Sequence, residues 1–285
     1  MQKTRKKEAK NKELKGNLRV SGIGMCSLKG IYPGRPEKEN QDCVFFRDLQ
    51  GGYLAAVADG HGYYGEYVSR FIIEQLSLVT AQDLQSPEKL FLAMNERVKK
   101  CGADLTYSGS TLSLAYFSDK LLICSVGDSP VILGKNTGKG PKLILGAKII
   151  SKLHRLEERE EAQRVSRAGG RITWGPPSRL WLRDKEAPGL CVTRAFGDLV
   201  ASSIGVIVEP YVEEVALEAN DKFLVIASDG VTDWLTANEI CGIIRPLYNQ
   251  GAAEVAANRI VSSAREKCKE STVDDMSCVV IFFEA

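Results

Sequence analysis

Apolar positions along this chain recur at two different periods, and the switches between the periods divide it into elements. Residues 18–27 alternate at the two-residue period of a strand, and residues 29–40, rich in glycine, proline and charge, read as a loop. Residues 42–46 and 53–58 flank Leu49-Gln50-Gly51-Gly52, the signature of a β-hairpin. The period then changes. Val68, Phe71, Ile72, Leu76 and Val79 fall at helical spacing within residues 64–79, and residues 87–98 repeat the pattern behind a Ser86-Pro87 start. Residues 111–117, 121–126 and 131–133 are short β-rich runs, joined by turn signals at 118–120 and 127–130, and they predict sequential antiparallel strands.

Residues 157–168 predict a charged helix that stops at Gly169-Gly170. Residues 171–210 carry few strand or helix periods and read as an irregular insertion of the functional or mobile kind. Strands return at 211–217 and 223–227, helices follow at about 236–246 and 252–268, and an apolar strand at 276–283 closes the order. Strands, two helices, more strands, two helices and a last strand predict an α+β sandwich and not an alternating βαβ fold. No repeat is evident.

Composition narrows the classes. With 285 residues, 44% of them apolar and 26% charged, the chain has ordinary globular material for a substantial core. A net charge of +2 lacks the concentrated basic face of a nucleic-acid binder. Only residues 1–17 are strongly basic, a tail or solvated arm that a nuclear-targeting or anionic-surface role would also fit. The eight cysteines are scattered without a CxxC pair and read as free thiols. No signal peptide, lipidation motif or membrane-length apolar run is seen, so a cytoplasmic or nuclear protein without a membrane span, and a monomer, is expected.

The chemistry is concentrated at strand ends. The apolar run at residues 54–58 delivers Asp59-Gly60-His61-Gly62 onto a turn, and Asp42, Asp128, Asp229 and Asp274 likewise stand where a strand starts or stops, with Asp198 and Asp275 of similar type. One such aspartate is ordinary, because it caps a helix or a turn. Several gathered at one sheet edge repel each other unless cations lie between them, and oxygen donors of this kind select Mg²⁺ or Mn²⁺. A cysteine-nucleophile phosphoryl chemistry is disfavoured, because no cysteine has the setting that makes a thiolate. Gly134 to Lys139 falls short of a phosphate-binding loop in spacing and reads as a hairpin turn.

Eight short motifs in order resemble the metal-dependent protein phosphatase family of type 2C. They are Asn40-Gln41-Asp42, Asp59-Gly60-His61-Gly62, Ser108-Gly109-Ser110-Thr111, Gly127-Asp128-Ser129, Ala168-Gly169-Gly170, Thr193-Arg194-Ala195-Phe196-Gly197-Asp198, Ser228-Asp229-Gly230 and Asp274-Asp275-Met276-Ser277. The resemblance implies a catalytic domain over residues 18–285 with a flap at about 171–210. It implies two antiparallel β-sheets packed as a central sandwich with helices on both outer faces. The implied activity is hydrolysis of phosphoserine and phosphothreonine in proteins by a water activated between two Mg²⁺ or Mn²⁺ ions, with a possible third, weaker site. By position, Asp59 would bridge the metals, the Gly60 carbonyl would bind one, and Asp42, Asp229 and Asp274 would complete the shells. Asp128 with Asp229 matches the third site, and His61 matches the proton donor to the leaving oxygen. His154 also matches a family position, and a structural role is expected of it. Where the family often places a phosphate-holding arginine, Arg35 and Lys38 compete, and lysine would offer a point charge in place of a bidentate fork. A catalytically silent relative would be expected to have lost one of Asp59, Asp229 or Asp274, and all are present.

Overall fold

The computed structural model describes residues 18–118, 120–138 and 143–285. The basic segment at 1–17, part of the turn at 118–120 and the end of the glycine-lysine segment after Gly138 lie outside the described residues. The chain begins with strand β1 (Arg19–Leu28) and the hairpin β2 (Asp42–Leu49) and β3 (Gly52–His61), followed by helices α1 (Gly65–Leu76) and α2 (Pro87–Val98). Next come β4 (Gly109–Ser110), β5 (Leu112–Phe117), β6 (Leu121–Val126), β7 (Val131–Asn136), β8 (Leu145–Ile149) and α3 (Arg159–Arg167). Three short strands, β9 (Arg171–Thr173), β10 (Arg179–Trp181) and β11 (Pro188–Leu190), precede β12 (Phe196–Gly197) and α4 (Leu199–Ser202). The chain closes with β13 (Tyr211–Val215), β14 (Asp221–Ala227), α5 (Asp229–Thr232), α6 (Ala237–Tyr248), α7 (Ala253–Lys267) and β15 (Met276–Glu284).

Two antiparallel sheets face each other: a five-stranded one in the order β1-β15-β14-β7-β8, and a seven-stranded one in the order β12-β4-β3-β5-β6-β13 with β2 also paired to β3. Alternation sorts each strand between two cores. On β15, Val279, Ile281 and Phe283 point into the sandwich and meet Tyr53, Ala55, Val57, Phe117 and Ile123 from the other sheet. Met276, Cys278, Val280 and Phe282 point the other way, onto α6 and α7. On β3, Leu54, Ala56 and Ala58 pack under α1 and α2. Strands buried on both faces read as continuous apolar runs, which is how residues 54–58 and 276–283 appear in the sequence. Replacing Ile281, fully buried between the sheets, by Ala is expected to cost about 2–5 kcal/mol of unfolding free energy, measured by urea titration. A change under about 1 kcal/mol would mean that the sandwich is loosely packed at its centre.

The α+β architecture with helices on both outer faces is the one expected, but three local expectations change. Strand β7 does not pair with β6; it crosses to the five-stranded sheet and pairs with β14 and β8. Pro130, which begins this crossing, has no N–H to give to a β6 ladder. Gly134 lies within β7, where it pairs with Ala147 of β8 instead of forming a turn. The segment at 171–210 is not irregular throughout. Strands β9, β10 and β11 form a three-stranded antiparallel sheet, too short for a two-residue period to register, above a small core of Leu156, Val165, Leu180 and Ile204. The chain has rejoined the large sheet by β12, which pairs with β4. All eight cysteines are free, and among the described residues no helix is long and apolar enough to cross a membrane.

Candidate active site

The strands position the acidic residues at one end of the sandwich. The β2–β3 register sets Asp42 directly across from Asp59, and the apolar run of β3 ends in Asp59, Gly60 and His61. Asp128 follows β6, Asp229 opens α5 just past β14, and Asp274 stands just before β15. Gly60 is required by close approach, since a Cβ there would lie 2.1 Å from the Gly65 carbonyl oxygen, and Gly62 turns the chain at φ +80°.

Asp59, Asp229 and Asp274 share one cavity of about 360 Å³, which Lys38, His61 and Asp198 also line. A second cavity of about 700 Å³ adjoins it through Asp128, Asp229 and Asp274, and Arg155, Pro176, Pro177 and Trp234 line its far side. Asp42 does not line either cavity. It lies behind Asp59, 6% exposed, with Oδ2 accepting from the Ser228 hydroxyl at 2.8 Å and Oδ1 buried without a partner. Ser228 also accepts from the Ser277 N–H at 3.0 Å, which ties the ends of β14 and β15 to the start of β2.

Asp275, next to Asp274, plays a different part. Its carboxylate accepts from the backbone N–H of Gly30 at 2.7 Å and of Gln41 at 2.8 Å, so it clamps the loop between β1 and β2. Asp274 accepts from the Tyr32 hydroxyl at 2.6 Å. The same loop presents Lys38, whose Nζ lies 3.5 Å from Asp275 Oδ2 and sits over the Tyr32 ring. Arg35 is exposed in the turn before it and lines neither cavity. Of the two basic candidates, the fold brings only Lys38 to the acidic cavity, and Arg179 reaches it from β10.

The electrostatics follow from the crowding. Burial, and then the neighbouring Asp42, Asp229 and Asp274, push the Asp59 carboxyl well above its usual range. Burial and then Asp128 and Asp274 do the same to Asp229. Burial raises Asp42 to about 7, against the Ser228 hydrogen bond that favours its anion. Like charges brought together out of water are costly, and a divalent cation among them offsets that cost. The cluster thus fits a hard cation: its donors are all oxygens, and one buried carboxylate oxygen is unsatisfied. Among the described residues no three Asp, Glu, His or Cys side chains close into a ready-made cage. Such an open donor set suits an ion that keeps several waters, as Mg²⁺ does.

His61 and Asp198 form a pair. His61 Nε2 lies 2.6 Å from Asp198 Oδ2, with the imidazole 24% exposed and the carboxylate 1% exposed. Burial alone would lower the imidazole pKa, but the Asp198 charge and hydrogen bond outweigh it and hold the pKa above its ordinary value. Asp198 is held in the left-handed region at φ 46°. His154, by contrast, is fully buried, and burial pushes its pKa down to about 4. Its Nδ1 lies 3.0 Å from the Gly127 carbonyl oxygen, which fastens the loop before α3 beside Asp128. That loop brings in a residue that the sequence reading missed. Arg155 Nε donates to Asp128 Oδ2 at 2.7 Å, and its terminal nitrogen lies 3.0 Å from Asp233 and 3.7 Å from Asp229.

Known proteins resemble this chain in sequence and fold. Residues 38–273 match the family model described as Protein phosphatase 2C. Among curated relatives, "Probable protein phosphatase 2C 35" of Arabidopsis thaliana is 31% identical, over 90% of this chain and 82% of that protein. "Protein phosphatase 1K, mitochondrial" of Xenopus laevis is 31% identical over 94% of this chain and 70% of that one. Among solved structures, a serine-threonine phosphatase 2C from Toxoplasma gondii superposes with a TM-score of 0.75 over 96% of this chain and 98% of its own, at 17% identity. The match over residues 38–273 takes in every strand except β1 and β15 and every acidic strand end except Asp274, and the chain belongs to the protein phosphatase 2C family.

Proposed function

We propose that this protein is a Mg²⁺- or Mn²⁺-dependent protein phosphatase that removes phosphate from phosphoserine and phosphothreonine, with residues 18–285 as its catalytic unit. The observation that carries the reading is the convergence of Asp59, Asp229 and Asp274 on one cavity beside the His61–Asp198 pair. Asp59, Asp229, Asp274 and the Gly60 carbonyl would hold the cations, and Asp42 would support them from behind Asp59. Cations bound there supply a water acidified toward neutral pH and positive charge for the phosphoryl oxygens.

The chain's own groups account for the rest. His61 holds the proton that the departing seryl or threonyl oxygen needs, because an alkoxide leaves poorly without one. With Nε2 engaged by Asp198, Nδ1 is the atom left to carry the transferable proton. The Asp198 charge and hydrogen bond raise the pKa and so favour the protonated ring. Lys38, at the cavity wall, meets a phosphate oxygen as a point charge. Release of phosphate from a phosphothreonine peptide is expected to require added Mn²⁺ or Mg²⁺ and to stop on chelation; equal rates with and without chelator would sink the reading.

A further inference from the structure

The Asp128 side of the acidic end already contains a cation supplied by the chain. Arg155 extends from the loop before α3 and its guanidinium reaches three carboxylates at once: Asp128 at 2.7 Å, Asp233 at 3.0 Å and Asp229 at 3.7 Å. It is anchored rather than free to swing. The backbone of Arg155 forms a bridge to Val192, the His154 N–H donates to the Gly127 carbonyl at 2.9 Å, and the Thr193 N–H donates to the His154 carbonyl at 2.8 Å. Asp128, its closest partner, is only 2% exposed and the Arg155 side chain 32%, so the contact is screened by water only in part. Asp59 and Asp274, on the other side of Asp229, have no comparable arginine or lysine within ion-pair distance among the described residues.

We infer that Arg155 is a resident cation that divides the cluster, occupying the Asp128–Asp233 end in place of a divalent ion and confining metal binding to the Asp59–Asp274 end. A guanidinium and a divalent ion compete for the same Asp128 oxygen, and two positive centres a few ångströms apart in a partly dry pocket repel. Arginine suits the place because it stays charged at any working pH and spreads its donors over a planar fork that reaches several carboxylates. The expected third, weaker ion therefore has no place of its own in the wild-type chain. The inference rests on the phosphatase reading only for the identity of the ions at the other end.

The test counts Mn²⁺ by titration calorimetry on the full chain and reads the Mn²⁺-induced rise in unfolding midpoint alongside. The wild type is expected to take up two ions. Arg155→Met is expected to take up a third, with a larger midpoint rise because a cluster without its guanidinium gains more from an added cation. Arg155→Met with Asp233→Asn is expected to return to two. Asp233→Asn alone is expected to change neither number nor midpoint rise, because that carboxylate serves the guanidinium; this variant keeps the test open even if Arg155→Met does not fold. Equal Mn²⁺ counts in wild type and Arg155→Met, or loss of an ion in Asp233→Asn alone, would overturn the inference. A wild type that takes up no Mn²⁺ would instead strike the phosphatase reading, and the difference between wild type and Arg155→Met would still decide this one.

Discussion

Asp59→Asn is expected to lose Mn²⁺-dependent phosphopeptide hydrolysis by about 10³-fold or more and, in metal-free buffer, to unfold at a higher temperature than the wild type. The two effects have one cause. Asp59 is the carboxylate that Asp42, Asp229, Asp274 and Asp128 all push upward in pKa, after burial itself. In the absence of cations its charge is a liability that asparagine, of nearly the same shape, removes. A gain of about 1 kcal/mol would raise the midpoint of a chain this size by about 2 °C. Added Mn²⁺ is then expected to stabilise the wild type and leave the variant almost unmoved.

The pH dependence has the same sign. Asp42 moves from 3.8 unfolded to about 7 folded, so the folded metal-free protein binds more protons than the unfolded chain across that interval. Its contribution to stability is full below the unfolded value and is lost as pH rises through about 7. Asp59 and Asp229 are raised in the same sense, and buried His154, lowered to about 4, opposes them in part; the share of the slope that Mn²⁺ should remove is the acidic cluster's, a loss of metal-free stability as pH rises between about 4 and 7. Near-normal turnover in Asp59→Asn, or a lower midpoint without metal, would remove Asp59 from the cation site.

Local signals carried the site further than they carried the packing. The runs ending at Asp59 and Asp229 and the one beginning after Asp274 are apolar because those strands are buried on both faces, so their polar ends are conspicuous in sequence. The crossing of β7 is invisible locally: a Gly-Asp-Ser-Pro turn looks alike whether the next strand pairs beside the last or joins the opposite sheet. Arg155 was missed for a related reason. It is 27 residues from Asp128 and 78 from Asp233, and contacts across the fold, His154 with Gly127 and Arg155 with Val192, bring it near. The different placements of Arg35 and Lys38 were likewise invisible locally, since the backbone turn that sends Arg35 to solvent folds Lys38 back over Tyr32. Asp198 was noticed as a carboxylate, but its partner His61 is 137 residues away.

His61→Gln is expected to slow hydrolysis of a phosphothreonine peptide by about 10²–10⁴-fold while slowing p-nitrophenyl phosphate by less than about tenfold. The difference arises at the leaving oxygen: an alkoxide needs a proton as the bond to phosphorus breaks, whereas the nitrophenolate is already a weak base. Asp198→Asn tests the pair from the other side. The general acid must be protonated to act, so phosphopeptide turnover falls as pH rises through the His61 pKa. The Asp198 charge and hydrogen bond hold that pKa up against burial. Neutralising Asp198 lets burial win, and the falling limb of kcat on the phosphopeptide should move to lower pH. The profile on p-nitrophenyl phosphate, which draws little on the acid, should stay where it was. A merely structural Asp198 would lower both rates together and move neither limb. Equal losses on the two substrates in His61→Gln would take the proton-donor role away from His61 and, with it, the reason for Asp198 to sit 2.6 Å from its ring.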